Sequence, residues 1–238
     1  DENAAPGGAL NIADKGHGKE KITRLVQALY TQMEKAGIEL RLGEQVTADS
    51  LEALKPEAVF LACGAKPLLP KVPGVNRPHV LSAESVLLDK TLPRGRVVVI
   101  GSGMTGLETA ELLALKGCAV TLVEMLPALG GGVYPTVLSD IMGRILPLGT
   151  QVLLEHRLYA IEEKEVDLLR LTDDQHVRLA ADWVVIAVGV TPRRTLAEAC
   201  SKRFKNLYVI GDAARPGRIM EAMRDAQAKA FVFETNPI

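Results

Sequence analysis

Six residues near the middle of the chain, Gly101-Ser102-Gly103-Met104-Thr105-Gly106, have the spacing GxGxxG. That spacing carries chemistry only in a fixed setting: a strand ahead, a helix behind, and a second strand that ends in an acid. All three are legible. Residues 96–100 (RVVVI) form a short apolar run suited to a central parallel strand covered on both faces. Residues 105–116 read as a helix closed by Gly117, and residues 119–123 (AVTLV) as the next strand, stopping at Glu124. Each glycine then has its own role. Gly101 makes the tight turn, Gly103 lets the backbone approach a pyrophosphate, and Gly106 lets the helix pack on the strand. The helix N-terminus would offer free amides and the positive end of its dipole to phosphate. Taken alone the motif also fits an ordinary glycine-rich turn. The strand, helix and acid around it favour a bound dinucleotide. Glu124 stands where a carboxylate accepts hydrogen bonds from the adenine-ribose hydroxyls. Met125, Leu126 and Pro127 bring no arginine for a 2′-phosphate, so NAD(H) is expected rather than NADP(H).

The elements that must hold these residues alternate between helix and strand. Apolar residues at Ile22, Leu25, Val26, Leu29, Tyr30 and Met33 predict a helix over 19–36, stopped by Gly37. A strand over 38–42, a helical turn over 51–54 and a buried strand over 58–62, ending at Gly64, come next. Pro67, Pro70, Pro73 and Pro78 predict a loop. After Glu124 the pattern predicts a helix over 137–146 and antiparallel strands over 152–162, 166–172 and 177–180. A buried strand over 183–188 then ends at Gly189. The chain finishes with a strand over 207–210, Gly211-Asp212, and a helix over 219–233. Asp212 could bind a ligand hydroxyl or simply cap that helix. Arg193 and Arg194 read as solvated surface charges, and the four histidines lie apart.

Part of the chain repeats. Residues 59–67 (VFLACGAKP) align with 184–192 (VVIAVGVTP), and Asp1 with Gly7-Gly8 has the same spacing as Glu124 with Gly130-Gly131. Two copies of one nucleotide-binding module would give this pattern. The second copy has its glycine loop at Gly101. The matching loop of the first copy would lie before Asp1, so the chain is expected to be a fragment that begins inside its first module. The expected fold class is α/β, with two Rossmann-like three-layer parts: an NAD(H)-binding module over 94–195, inserted into an incomplete module over 1–93 and 196–238.

Bulk properties exclude other classes. With 28 basic and 29 acidic residues, formal net charge −1 and no basic stripe, nucleic acid is not an expected partner. No apolar run approaches a membrane span, and no signal peptide is evident. Cys63, Cys118 and Cys200 show no CxxC pair and no metal-ligand spacing, so they are expected to be reduced thiols of a cytoplasmic protein, with no metal site.

Residues 101–110 with Glu124, the strand ends Ala62-Cys63-Gly64 and Ala187-Val188-Gly189, and Tyr208-Val209-Ile210-Gly211-Asp212 together resemble the two-dinucleotide flavoprotein reductases of the pyridine nucleotide-disulfide oxidoreductase type. In these an NAD(P)H module is inserted into an FAD module. Pro6-Gly7-Gly8-Ala9-Leu10-Asn11-Ile12-Ala13 and Arg215-Pro216-Gly217-Arg218-Ile219-Met220-Glu221-Ala222 are similar to the C-terminal region of the NADH:flavin oxidoreductases and 2,4-dienoyl-CoA reductases, whose N-terminal part is itself similar to old yellow enzyme. The resemblance implies FAD contacts near Gly7, Gly8, Ala62, Gly64, Gly211, Asp212 and Met220, with Asp212 taking a ribityl hydroxyl. It implies NADH contacts at 101–106, Glu124, Met125, Val188 and Gly189. Hydride would pass from nicotinamide to flavin N5, and electrons onward to an iron–sulfur cluster and FMN in an N-terminal part, for reduction of an unsaturated or enoyl-type substrate. The cofactors carry such chemistry, so no catalytic acid, base or nucleophile is assigned. A fragment of this kind would be inactive alone. It would lack the FAD pyrophosphate loop and leave a sheet edge that invites homodimer formation. A nucleotide-binding, redox-sensing module without turnover is the alternative.

Overall fold

The run Arg96-Val97-Val98-Val99-Ile100 is the centre of the larger sheet, because its four consecutive β-branched residues, all buried, suit a strand covered on both sides. The computed structural model describes residues 1–235. In chain order the elements are α1 (Leu10–Ala13), α2 (Glu20–Lys35), α3 (Ala48–Ala53), β1 (Val59–Leu61), β2 (Ala65–Pro67), β3 (Val80–Ser82) and α4 (Ala83–Leu87). Next come β4 (Arg96–Ile100), α5 (Met104–Leu115), β5 (Ala119–Val123), α6 (Pro135–Ile145), β6 (Gln151–Leu153), β7 (His156–Ile161), β8 (Glu165–Arg170) and β9 (His176–Ala180). The last are β10 (Trp183–Ile186), β11 (Val190–Pro192), α7 (Thr195–Cys200), β12 (Leu207–Val209) and α8 (Ile219–Thr235). The chain divides into two compact units: unit 1 holds residues 1–11, 22–66 and 190 onward, and unit 2 holds 12–21 and 67–189.

Unit 2 has three layers. Its parallel sheet has the order β3-β10-β4-β5-β6. Successive side chains of a strand point to opposite faces. Val97, Val99, Val120, Leu122 and Val185 therefore meet Leu107, Ala110 and Leu113 of α5, with Ile141 and Ile145 of α6. Val98, Ile100, Val123, Val184 and Ile186 meet Leu158, Ile161, Val166 and Leu168 of the antiparallel ribbon β7-β8-β9. Leu107 and Leu113 are fully buried, and burying such a side chain contributes roughly 1.5–3 kcal/mol. Pro135 opens α6 at a position where its missing N–H has no intrahelical partner to lose.

Unit 1 is built on two parallel strands, β1 and β12, with Val59 opposite Leu207 and Leu61 opposite Val209. One face packs Val59, Leu61, Ala48 and Cys200 together with Phe204 and Leu196. On the other, Phe60 stacks on Tyr208 with ring centroids 4.7 Å apart, and Phe233 meets both rings edge-on. The amphipathic α2 buries no residue.

Three elements depart from the sequence pattern. The strand expected over 38–42 does not form. Ile38 is exposed, and this stretch is held by isolated bonds instead of a ladder, among them Gly43 N–H to the Asn3 carbonyl and the Asp1 amino group to the Arg41 carbonyl. The strand expected over 152–162 is two strands in different layers. Glu155 adopts φ +58°, a left-handed turn that separates β6, the parallel edge strand, from β7 of the ribbon. The proline-rich stretch after Pro67 contains β3 and α4, the latter capped by Ser82, whose hydroxyl accepts from the Ser85 amide. Among the described residues no helix is long and apolar enough to cross a membrane, and no cluster of His, Cys, Asp or Glu could hold a metal ion.

Candidate dinucleotide site

The glycine loop leaves the carboxyl end of β4, the middle strand of unit 2. The chain goes from β4 through α5 to β5 on one side, and β10 lies on the other. This is the switch point at which open parallel sheets leave a crevice. Gly101 has φ +101°, and its amide donates to the Val123 carbonyl at 2.8 Å. A Cβ there would run into the Ala187 carbonyl oxygen. A Cβ on Gly106 would overlap the Gly101 carbonyl, so this glycine is needed for α5 to approach β4. Gly103 differs from both. Its φ is −63°, which any residue can adopt, and a Cβ there would meet nothing within 4 Å. Gly103 is the N-cap of α5 and supplies no side-chain acceptor. The amides of the first turn, at Met104, Thr105 and Gly106, keep their donors. Open space above an uncapped helix N-terminus fits a pyrophosphate.

Glu124 ends β5 beside this loop and is 9% exposed. Its Oε2 accepts from the Ser102 amide at 3.0 Å and the Ser102 hydroxyl at 2.6 Å, and its Oε1 from the Leu126 amide at 2.9 Å. Burial pushes this carboxyl up. Hydrogen bonds from the Ser102 hydroxyl and from the Leu126, Ser102 and Met125 amides outweigh that, and hold it below its usual range. The Ser102 side chain is fully buried and its hydroxyl also accepts from the Gly130 amide at 3.1 Å. Met125 and Leu126 are exposed next to the carboxylate. Val188 and Gly189 follow β10, where the Ala187 amide donates to the Ile100 carbonyl at 2.8 Å. The fold thus brings residues 101–106, 124–126 and 187–189 to one end of one sheet.

In unit 1, β1 and β12 end side by side, because the Ile210 amide donates to the Leu61 carbonyl at 3.0 Å. This brings Ala62 and Gly64 near Gly211 and Asp212. Asp212 accepts from the Gly217 amide at 2.9 Å, ordering the turn before α8, and the Gly211 amide donates to Asp225. Gly7 and Gly8 lie in the turn ahead of α1, their carbonyls accepting from the Leu10 and Asn11 amides. Met220 is exposed in the first turn of α8. Arg193 is not a free surface charge. Its amide donates to the Gly64 carbonyl, its Nε to the Ala65 carbonyl, and its Nη1 to Glu2, so it ties three segments of unit 1.

Sequence reasoning did not single out two buried carboxylates on α5. Glu108 is paired with Lys19 and Glu111 with Arg144, which also binds Asp140. Burial pushes Glu108 up against the opposing pull of Lys19. Acids on the inner face of an otherwise apolar helix were the available signal.

Comparison with known proteins agrees with this geometry. The family model for pyridine nucleotide-disulphide oxidoreductases matches residues 3–230. The bilirubin reductase of Mediterraneibacter gnavus is 35% identical over 227 residues, covering 95% of this chain and 35% of that protein. The NADH oxidase of Thermoanaerobacter brockii is 33% identical over 222 residues, covering 91% and 34%. A structure of 2-naphthoyl-CoA reductase in complex with 2-naphthoyl-CoA superposes with TM-score 0.87 at 27% identity, over 94% of this chain and 34% of that one. The chain therefore spans about a third of the length of these relatives. The matched family model, the three-layer unit and the glycine loop at its switch point place this chain in the pyridine nucleotide-disulphide oxidoreductase family.

Proposed function

We propose that the chain binds NADH through residues 94–195 and that, as part of a longer flavoprotein oxidoreductase, it hands hydride to FAD held by 1–93 and 196–238. The observation that carries this reading is the open, uncapped N-terminus of α5 at Gly103, set beside the buried Glu124 carboxylate. The first-turn amides of α5 would bind the pyrophosphate. Glu124 would accept from the adenine ribose and repel a 2′-phosphate, with exposed Met125 and Leu126 beside the adenine. Val188 and Gly189 would border the other half of the dinucleotide. In unit 1, Gly7, Gly8, Ala62, Gly64, Gly211, Asp212 and Met220 would contact the flavin, with Asp212 bonded to a ribityl hydroxyl. When bound, NADH supplies a hydride and FAD accepts it. This chain's part is to bind, orient and exclude water.

The relatives extend about twice as far again beyond the region shared with this chain. A preceding part similar to old yellow enzyme would complete the enzyme and carry reduction of an unsaturated or enoyl-type substrate. The half-buried apolar face of α2 is consistent with such a longer protein, and the three free cysteines with a cytoplasmic one.

The test is a titration of the chain into NADH followed by nicotinamide fluorescence, with ADP-ribose as competitor. Saturable binding displaced by ADP-ribose is expected. Gly103→Val should fold normally, since its side chain enters open space, and should lose binding at least about tenfold. A folded Gly103→Val that binds as the parent does would overturn the assignment.

A further inference from the structure

Ser102 lies inside the glycine loop, yet its side chain is fully buried. A hydroxyl with no exposed surface cannot touch a cofactor. Its bonds run inward: it donates to Glu124 Oε2 at 2.6 Å and accepts from the Gly130 amide at 3.1 Å. The Ser102 amide bonds the same Oε2 at 3.0 Å. An ionised carboxylate oxygen has two lone pairs, so Ser102 occupies both on Oε2. Oε1 takes the Leu126 amide at 2.9 Å, and the Met125 amide adds to the donors around the carboxylate. One serine thus joins the loop after β4 to both ends of the segment after β5.

We propose that Ser102 is a positioning residue for dinucleotide selection: by saturating Oε2 of Glu124 and holding the Gly130 amide, it fixes the carboxylate in one orientation toward the ribose. This rests on the reading of the crevice as an NADH site. The charge that repels a 2′-phosphate then stands at one place in the empty protein, and no side chain has to be ordered when ligand binds. Without the hydroxyl, the buried Gly130 amide loses its acceptor and Glu124 loses its shortest bond. The segment 124–130 would loosen and the carboxylate could turn away from the ribose.

The test is a set of calorimetric titrations with NADH and with NADPH on the unaltered chain, Ser102→Ala, Glu124→Ala and the double variant. The readout is the ratio of the two dissociation constants. Ser102→Ala should shrink the preference for NADH by about fivefold or more, chiefly by weakening NADH. In the Glu124→Ala background, removing Ser102 should change the ratio no further, because Ser102 acts through Glu124. A merely structural role would weaken both nucleotides alike, and an unchanged ratio would overturn the proposal. So would full additivity in the double variant. Should Ser102→Ala not fold, the near-isosteric Ser102→Cys, a much weaker donor, is read by the same ratio and should lower it. Failure of the underlying reading looks different: the unaltered chain would then bind neither nucleotide, or would prefer NADPH.

Discussion

Glu124 is surrounded by donors on both oxygens, and this makes a sharp demand on its chemistry. The Ser102 amide points at Oε2 and the Leu126 amide at Oε1. A glutamine would set its NH2 against one of these N–H groups whichever way its amide is turned. Glu124→Gln, although isosteric, should therefore destabilise the chain by about 1–3 kcal/mol at neutral pH. The folded carboxyl titrates below its ordinary value. Its stabilising contribution is thus present above that ordinary value and is lost as pH falls through the folded one. The gap in melting temperature between the parent and Glu124→Gln should close on acidification, and a gap that is constant with pH would contradict this. Gly101, Gly103, Gly106 and Glu124 were all legible from spacing, because a backbone turn and a strand-end acid leave a local signature. The inward direction of Ser102 was not. It depends on Gly130, which a separate segment brings into reach.

At the scale of the element, α5 shows what periodicity can and cannot reveal. The sequence placed it over 105–116, closed by Gly117, close to its actual span, but Glu108 and Glu111 sit in its buried face and find partners far off in sequence, at Lys19 and Arg144. Glu108 is raised by burial, with Lys19 opposing. In Lys19→Met that opposition is gone, and burial and neighbouring Glu111 both raise it further. A carboxyl raised on folding favours the native state below its unfolded value, and this advantage fades as pH climbs through the folded value. Lys19→Met should therefore lose more melting temperature at about pH 8 than at about pH 5. An equal loss at both would show that Glu108 does not carry the effect. Strands were legible where apolar runs were long, as in β4 and β5. They were misread where one residue decided the outcome: Glu155 divides β6 from β7 by a single left-handed turn, and residues 38–42 have β composition without a ladder partner.

At the scale of the whole chain, the internal repeat pointed to two modules of one kind, and unit 2 has the three layers expected of a dinucleotide-binding part. The extent of each unit in sequence was less legible. Residues 12–21 join unit 2 through contacts, the Lys19 pairing with Glu108 among them. The proposed flavin residues include no second GxGxxG loop within this sequence. The amides of such a loop would make charge-assisted bonds to the FAD pyrophosphate, each contributing roughly 1.5–3 kcal/mol. The chain purified with excess FAD should accordingly leave gel filtration with little or no flavin absorbance. Stoichiometric yellow protein would mean that unit 1 holds FAD by other groups. The central claim, that the crevice above β4 selects NADH through Glu124, is tested most directly by isothermal calorimetry of the unaltered chain against NADH and NADPH. The expected result is one NADH site per chain, with NADPH weaker by about tenfold or more, as a like-charge contact of about 1.4 kcal/mol requires. Equal affinities, or tighter binding of NADPH, would contradict it.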